Sequence, residues 1–404
     1  MVVSPMKISR RSEIMPPSPI RKLVPLSDQA KKRGIKVYHL NIGQPDIPTP
    51  PEFFEAVAHY PEKVLEYGNS KGTQLLLEKI SEYYAEYDLN VLPEEIQVTT
   101  GGSEAIIFAL YVVTEPGDEV LVFEPFYTNY NSFAIFTGTK LVPLAADPSN
   151  GYHLPPANEI ESKITTRTRA ILICNPNNPT GTVYAQAEIE MLASLCQKHN
   201  LYLIADEVYR EFIYSGSHYS VLNLEELQDR VVVVDSFSKR YSLCGARLGC
   251  LVSKNKEIVS ACLRLGQARL SSPTLDQYGL IHTLQLKKPY FQSIAQEYKR
   301  RRDLVHSELS KIPGVLCQKP EGAFYIMAKF PVEDIDDFAS WLLTDFSCQN
   351  QTTMIAPGPG FYATPGKGRL EARLAYVLKL EDLKKAMQAL AEGVKIYQES
   401  KVRV

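Results

Sequence analysis

Between residues 95 and 253 the chain alternates short apolar runs with stretches of helical spacing. The runs are Ile96–Thr100, Glu119–Phe123, Lys140–Leu144, Ala170–Cys174, Leu201–Ala205, Val231–Asp235 and Leu248–Val252. Several are apolar at successive positions rather than at every second one, which predicts strands covered on both faces. Ahead of the fifth run, Ile189, Leu192, Leu195 and Cys196 recur at helical spacing and mark one apolar stripe. Alternation of this kind predicts crossover units, hence an α/β fold with a mostly parallel seven-stranded sheet between helices.

The last third reads differently. A charged helical stretch (Tyr298–Leu309) is followed by a glycine-bearing strand (Gly322–Met327), a helix near Asp336–Leu343, a strand (Arg373–Val377) and a closing helix over about Glu381–Tyr397. This pattern predicts a smaller α+β domain built from both chain ends. The expected boundaries are an N-terminal arm and part of the small domain over 1–54, the large domain over 55–295, and the rest of the small domain over 296–404.

Composition narrows the partners. With 44 Lys and Arg against 46 Asp and Glu, the formal net charge of -2 gives no overall basic field for nucleic acid or anionic lipid. Any anion must be held locally, by a few placed donors. Seven cysteines, odd in number and without CxxC spacing, argue against a disulfide framework and a zinc knuckle, and no metal site is expected. No stretch approaches the ~20 apolar residues of a membrane span, and Met1–Ile20 has no signal-peptide core. The reading is a soluble cytoplasmic protein.

In open α/β sheets ligands bind beyond the carboxyl ends of the strands, so the residues after each run carry the chemistry. Gly101-Gly102-Ser103-Glu104 follows the first run and leads into a helix. Its backbone N–H groups, a hydroxyl and the helix dipole suit an anion, although an ordinary βα turn with Ser103 as N-cap has the same appearance. Asn175-Pro-Asn-Asn-Pro-Thr-Gly181 is a stiff, amide-rich loop. Asp206 ends an apolar run, either as a helix cap or as the partner of a ligand's positive group. Ser236-Phe-Ser-Lys239 follows the four-valine run and precedes Arg247. A lysine there is either solvated or, in a cleft that depresses its pKa, an amine nucleophile.

Taken in this order after successive strands, the Asn-Pro-Asn-Asn-Pro-Thr-Gly, Asp-Glu-Val-Tyr and Ser-Phe-Ser-Lys…Arg motifs resemble those of the class I/II aminotransferases. These belong to the aspartate aminotransferase superfamily of fold-type-I pyridoxal-phosphate enzymes. The resemblance runs from Asn41-Ile-Gly-Gln-Pro-Asp46 to Arg373-Leu-Ala-Tyr376 and is most like aspartate-type members. It implies pyridoxal 5'-phosphate as cofactor, with Lys239 as the lysine that bonds its aldehyde. It implies Asp206 facing the ring nitrogen, Tyr209 and Asn178 at the phenolic oxygen, and Tyr127 stacked on the ring. For the phosphate it implies Gly102, Ser103, Glu104, Ser236, Ser238 and Arg247, with Tyr67 reaching in from the partner subunit of a homodimer with shared active sites. Arg373 corresponds to the clamp on the substrate α-carboxylate, with Gly43 and Asn178 beside it.

The implied activity moves an amino group from an L-amino acid, aspartate or a similar donor, to a 2-oxo acid such as 2-oxoglutarate by a ping-pong mechanism. Ser103 stands where some bacterial relatives place a lysine for the distal carboxylate, and Arg269 is offered as a reader of that group. Aromatic, alanine, kynurenine-type or diaminopimelate-pathway specificity, and same-fold C–S lyase chemistry, stay open. A regulator built on this fold would carry a DNA-binding domain ahead of it, whereas Asn41 follows a proline-rich stretch without a helix-turn-helix pattern.

Overall fold

A computed structural model describes residues 6–402; the first five and last two positions of the expected segments 1–54 and 296–404 lie outside the described residues. Among the described residues the strands are β1 (Lys36–His39), β2 (Ile96–Thr99), β3 (Glu119–Glu124), β4 (Lys140–Ala145), β5 (Thr168–Cys174), β6 (Tyr202–Asp206), β7 (Val231–Ser236), β8 (Gly249–Val252), β9 (Leu316–Cys317), β10 (Tyr325–Lys329), β11 (Gln351–Met354), β12 (Ala356–Pro357) and β13 (Glu371–Ala375). Seven of them form one sheet in the order β2-β8-β7-β6-β5-β3-β4. The pairings from β7 through β6, β5 and β3 to β4 are parallel, and β8 runs antiparallel to both of its neighbours. The seven apolar runs are these seven strands.

Packing explains why the runs are apolar throughout. Alternate side chains of a strand point to opposite faces. Leu121, Ile171, Leu203 and Val233 enter one core with Leu76, Ile80 and Leu192. Val120, Leu172, Ile204 and Val234 enter another with Ile106, Ala109 and Ile258. A sheet with helices on both faces keeps the middles of its central strands apolar, polar residues such as Asp206, Asp235 and Ser236 coming toward their carboxyl ends. The edge strand β4 is only partly buried and carries Lys140 and Pro143, both suited to an edge whose backbone is not paired on the far side. The stripe Ile189, Leu192, Leu195 and Cys196 is the buried face of the helix Gln186–His199.

Near the chain ends, β1 pairs in parallel with β11, and β12-β13-β10-β9 form an antiparallel sheet. Leu23, Val37 and Leu40 share one core with Val305, Leu342 and Leu390. The strand expected over Gly322–Met327 begins only at Tyr325; Gly322 instead forms an isolated bridge to Ile213. A side chain at Gly322 would meet the Phe212 carbonyl at 2.7 Å, so the chain passes too closely there for a pleated strand. The helix expected from Tyr298 begins at Lys288. Among the described residues no helix is long and apolar enough to cross a membrane.

The sheet sets up the site. Because β2, β5, β6 and β7 share one direction, their carboxyl ends reach a common edge, bringing Gly102, Asn178, Asp206 and Ser236 together. The antiparallel β8 begins at that same edge, which is how Arg247, just before it, arrives there.

Candidate active site

A cavity of about 640 Å³ opens at this edge, and it is lined by Gly43, Gly102, Ser103, Tyr127, Asn178, Asp206, Tyr209, Ser236, Ser238, Lys239, Arg247 and Arg373. Lys239 lies in a four-residue helix, Phe237–Arg240, capped by Ser236, whose side chain accepts from the Ser238 N–H. The short turn aims the lysine inward, where Nζ donates to the Gly43 carbonyl at 3.0 Å. Burial lowers the Lys239 pKa, and the Arg373 and Arg247 charges push it the same way against the opposing influence of Cys244. This is the environment that keeps an amine neutral and nucleophilic.

Asp206 is the last residue of β6 and is buried. Tyr130 donates to its Oδ2 at 2.9 Å, and no cationic side chain pairs with it among the described residues. Burial raises its pKa to about 7, although the bonds from Tyr130 and the Val208 N–H favour the charged form. A carboxyl so placed either stays protonated or takes a cation from outside the chain.

The helix Gly101–Val113 starts where β2 ends, with Thr100 rather than Ser103 as its N-cap. The Glu104 carboxylate accepts from the Thr100 N–H at 2.7 Å. The N–H groups of the first turn, Gly102 and Ser103 among them, have no partner within the helix and sit at its positive end. Gly101 has φ +77°, and a Cβ there would lie 2.6 Å from Nη2 of Arg247. Ser236 and Ser238 hydroxyls, 3.0 Å apart, add two further polar groups to the lining.

The Arg373 guanidinium, also on the cavity lining, is buried. Nη1 donates to Oδ1 of Asn178 at 2.9 Å and Nη2 to the Asn41 carbonyl at 2.6 Å, while Nε has no partner. It lies over the Tyr325 ring, 4.4 Å from the centroid. Asn178 donates to the Tyr209 hydroxyl at 3.4 Å. One cavity therefore holds a depressed-pKa amine, a buried acid without a cation, an anion cradle and a second fork for an anion.

Comparison with known proteins agrees with this arrangement. The family profile for "Aminotransferase class I and II" matches residues 35–390. The chain belongs to the class I and II aminotransferases. The aspartate aminotransferase of Thermotoga maritima is 33% identical over 391 residues, covering 95% of this chain and 98% of the relative. The aspartate aminotransferase of Thermus thermophilus, solved with maleate, superposes with a TM-score of 0.88 at 28% identity, over 96% of this chain and 100% of that one. The alanine aminotransferase of Pyrococcus furiosus gives 0.88 at 30% identity, over 96% and 100%. The protein is an aspartate-aminotransferase-like transaminase.

Three residues singled out in the sequence lie outside the cavity lining of this aminotransferase chain. The Glu104 side chain turns away to Thr100 N–H and Arg269. Nε of Arg269 donates to both Glu104 oxygens at 3.0 Å and Nη2 to the Val98 carbonyl at 2.9 Å. Arg269 and the exposed Tyr67 border a separate shallow depression. Conversely, the aminotransferase cavity includes Tyr325, Arg21, Asn129 and Cys244, which sequence reasoning passed over. The Tyr325 hydroxyl lies 2.9 Å from that of Tyr209, and a Cβ on Gly43 would overlap it at 1.9 Å. Tyr130 is a further addition, on the helix Asn129–Thr137 beneath Asp206. A tyrosine or arginine with no motif around it carries no signal along the chain; only folding shows where it points.

Proposed function

We propose that this chain transfers the amino group of an L-amino acid, aspartate or a similar donor, to 2-oxoglutarate by a ping-pong mechanism with pyridoxal 5'-phosphate as cofactor. The observation that carries the reading is that Lys239, the unpaired acid Asp206 and the buried fork Arg373 line one cavity. The residues fit the cofactor chemically. Asp206 is a buried carboxyl lacking a cation, as a protonated ring nitrogen requires. Gly101, at φ +77° a conformation open to glycine, leaves beside Arg247 the space in which a phosphate would meet backbone N–H groups and a guanidinium.

Gly102, Ser103, Ser236, Ser238 and Arg247 would hold the phosphate, Tyr209 and Asn178 the phenolic oxygen, Tyr127 the ring face, and Lys239 the aldehyde. When bound, the cofactor supplies the electron sink for the bond broken at the substrate's Cα. The protein's own part is position and proton transfer. Arg373 and Asn178, with Gly43, fix the substrate α-carboxylate and so set which Cα bond faces the ring. Released to the substrate, the Lys239 amine removes the Cα proton and delivers it back, acting first as base and then as acid. Its lowered pKa suits both tasks.

A homodimer with shared sites and cytoplasmic operation belong to the same reading, and the dimer is supported by Tyr67. It is 82% exposed beside the exposed Val64, Leu65 and Leu270, an apolar surface available to a second copy.

The test is a panel of amino donors against 2-oxoglutarate, with borohydride trapping and peptide mapping of the purified protein. Cofactor trapped on Lys239, turnover of acidic donors, and a Lys239→Ala variant that holds cofactor only non-covalently without transamination are the expected results. An adduct on another residue, or elimination products in place of an oxo acid, would overturn it.

A further inference from the structure

Four cationic side chains line the cavity: Arg21, Lys239, Arg247 and Arg373. Three are engaged. Lys239 bonds the Gly43 carbonyl, Arg373 bonds Asn178 and Asn41, and Arg247 bonds the Cys244 carbonyl at 2.9 Å against the glycine turn. The Arg21 side chain has no hydrogen-bond or ion-pair partner among the described residues.

Its position is nevertheless held. The Ile20 carbonyl accepts from Nδ2 of Asn41 at 2.9 Å, and Asn41 also accepts from Arg373 through its own carbonyl. The next residue, Lys22, pairs with Asp336 on the helix Ile335–Thr344. Flanked by these anchors, Arg21 lines the cavity together with Tyr127 and Asn129. Its charge is felt at the Tyr127 hydroxyl together with those of Arg373 and Arg247, which places it in the same field.

Charge matching gives the consequence. In the proposed function, on which this inference rests, the phosphate takes Arg247 and one substrate carboxylate takes Arg373. One cation, on an exposed side chain carried by an anchored segment, is then left over at the cavity wall. A donor with a neutral side chain leaves it unpaired; a dicarboxylic donor does not. Arg269, the other candidate, is absent from this lining and borders the separate depression instead, with Nε held by Glu104 and Nη2 by the Val98 carbonyl, leaving only Nη1 without a partner. We infer that Arg21 reads the distal carboxylate of the substrate and makes this enzyme selective for dicarboxylic amino acids and oxo acids. Substrate would thereby bridge the Arg21 segment, pinned to the helix Ile335–Thr344, and the sheet edge that carries Lys239.

The test uses the holoenzyme and its R21A, R21K and R269A variants. Single-turnover rates with aspartate and with alanine, followed by the absorbance of the bound cofactor, give kcat/KM for each donor without involving the acceptor. Calorimetric titration with succinate and with butyrate reads binding apart from turnover. In R21A the aspartate-to-alanine ratio should fall by about tenfold or more, with a parallel loss of succinate over butyrate affinity. R21K should restore part of both, since it keeps the charge but not the fork. An unchanged ratio in R21A, or a collapse in R269A with none in R21A, would overturn the assignment of Arg21 while leaving the transaminase reading intact. A wild-type holoenzyme that turns over neither donor would instead overturn that reading.

Discussion

The Tyr130 hydroxyl donates to Oδ2 of Asp206 at 2.9 Å, and it is the one side-chain hydrogen bond that this buried carboxyl receives among the described residues. The bond favours the charged form of an acid that burial pushes the other way. Tyr130→Phe should therefore raise the Asp206 pKa further above about 7. The proposed cofactor, held there through a cationic nitrogen, should bind about tenfold more weakly, and the deficit should grow as pH falls from 8 to 6. Fluorescence titration of the cofactor across that range checks it. An affinity identical to wild type at every pH would show that the bond does not matter.

Asp206 also shapes the stability of the cofactor-free protein. Its folded pKa, about 7, exceeds the ordinary carboxylate value of 3.8. Such a group costs nothing below the unfolded pKa, increasingly disfavours the fold as pH rises between the two values, and exerts its full penalty above the folded one. That penalty is at most on the order of 4 kcal/mol. Asp206→Asn removes the titration. Relative to wild type, the apo variant should gain stability as pH rises from 4 to 8, whatever offset the amide itself introduces. Urea midpoints of both proteins at several pH values measure this, and parallel pH profiles would contradict it.

These two residues also show what was and was not legible along the chain. Asp206 stood out because a carboxylate after an all-apolar run needs a reason to be there. Tyr130 did not, because nothing in Thr128-Asn-Tyr-Asn distinguishes it from any other tyrosine until the helix Asn129–Thr137 turns it under β6. The seven sheet strands were readable for a physical reason, since burial on both faces leaves uninterrupted apolar runs. Helices such as Lys256–Ala268 and Gln74–Ala85 were passed over, their apolar residues being mixed with charges on exposed faces. Arg373 and Arg247 were found only through their motifs, and Arg21, which lies in none, was not found. The depression bordered by Tyr67 and Arg269 is invisible to periodicity altogether, because it joins segments some 200 residues apart.

Tyr325 joins two parts of the site. Its hydroxyl meets that of Tyr209, while its ring lies under the Arg373 guanidinium. The two roles separate by substitution. Tyr325→Phe keeps the ring and should lower kcat by roughly threefold to tenfold, with KM for the amino acid little changed. Tyr325→Ala also removes the surface on which Arg373 rests and should raise KM by about tenfold. Steady-state kinetics of the two variants distinguish the roles; an equal KM in both would assign the ring no part in holding the arginine.

Behind Lys239 lies a buried ion pair, Arg240 with Asp235, both fully inaccessible, with the Asp235 carboxyl held below its usual range, burial opposing and the Arg240 and Arg210 charges prevailing. Tyr84 also donates to Asp235, at 3.0 Å. Arg240→Ala takes away that carboxylate's ion-pair partner, leaving only Tyr84 and the more distant Arg210 charge, and should cost about 3 kcal/mol. Replacing both members with apolar residues of similar volume should recover much of that loss. Denaturant unfolding of the single and double variants checks this, and a double variant no more stable than the single one would count against it.

The glycine turn and Arg247 form a second closely constrained contact in the site, after that of Gly43 with Tyr325. At Gly101 the left-handed backbone alone costs an alanine about 1–2 kcal/mol, and its Cβ would sit 2.6 Å from Nη2 of Arg247. Gly101→Ala should thus do two things: destabilise the apo fold modestly and push the guanidinium out of line with the phosphate. Arg247→Ala removes the same cation, exposed at the surface, and should lower cofactor affinity by about tenfold or more with stability changed by less than about 0.5 kcal/mol. The combination decides whether the two act through one contact. If they do, adding Gly101→Ala to the Arg247→Ala background costs little further affinity, because the group it displaces is already gone, while the backbone penalty on stability remains in full. Additive losses of affinity would instead mean that Gly101 serves the phosphate through its own N–H alone.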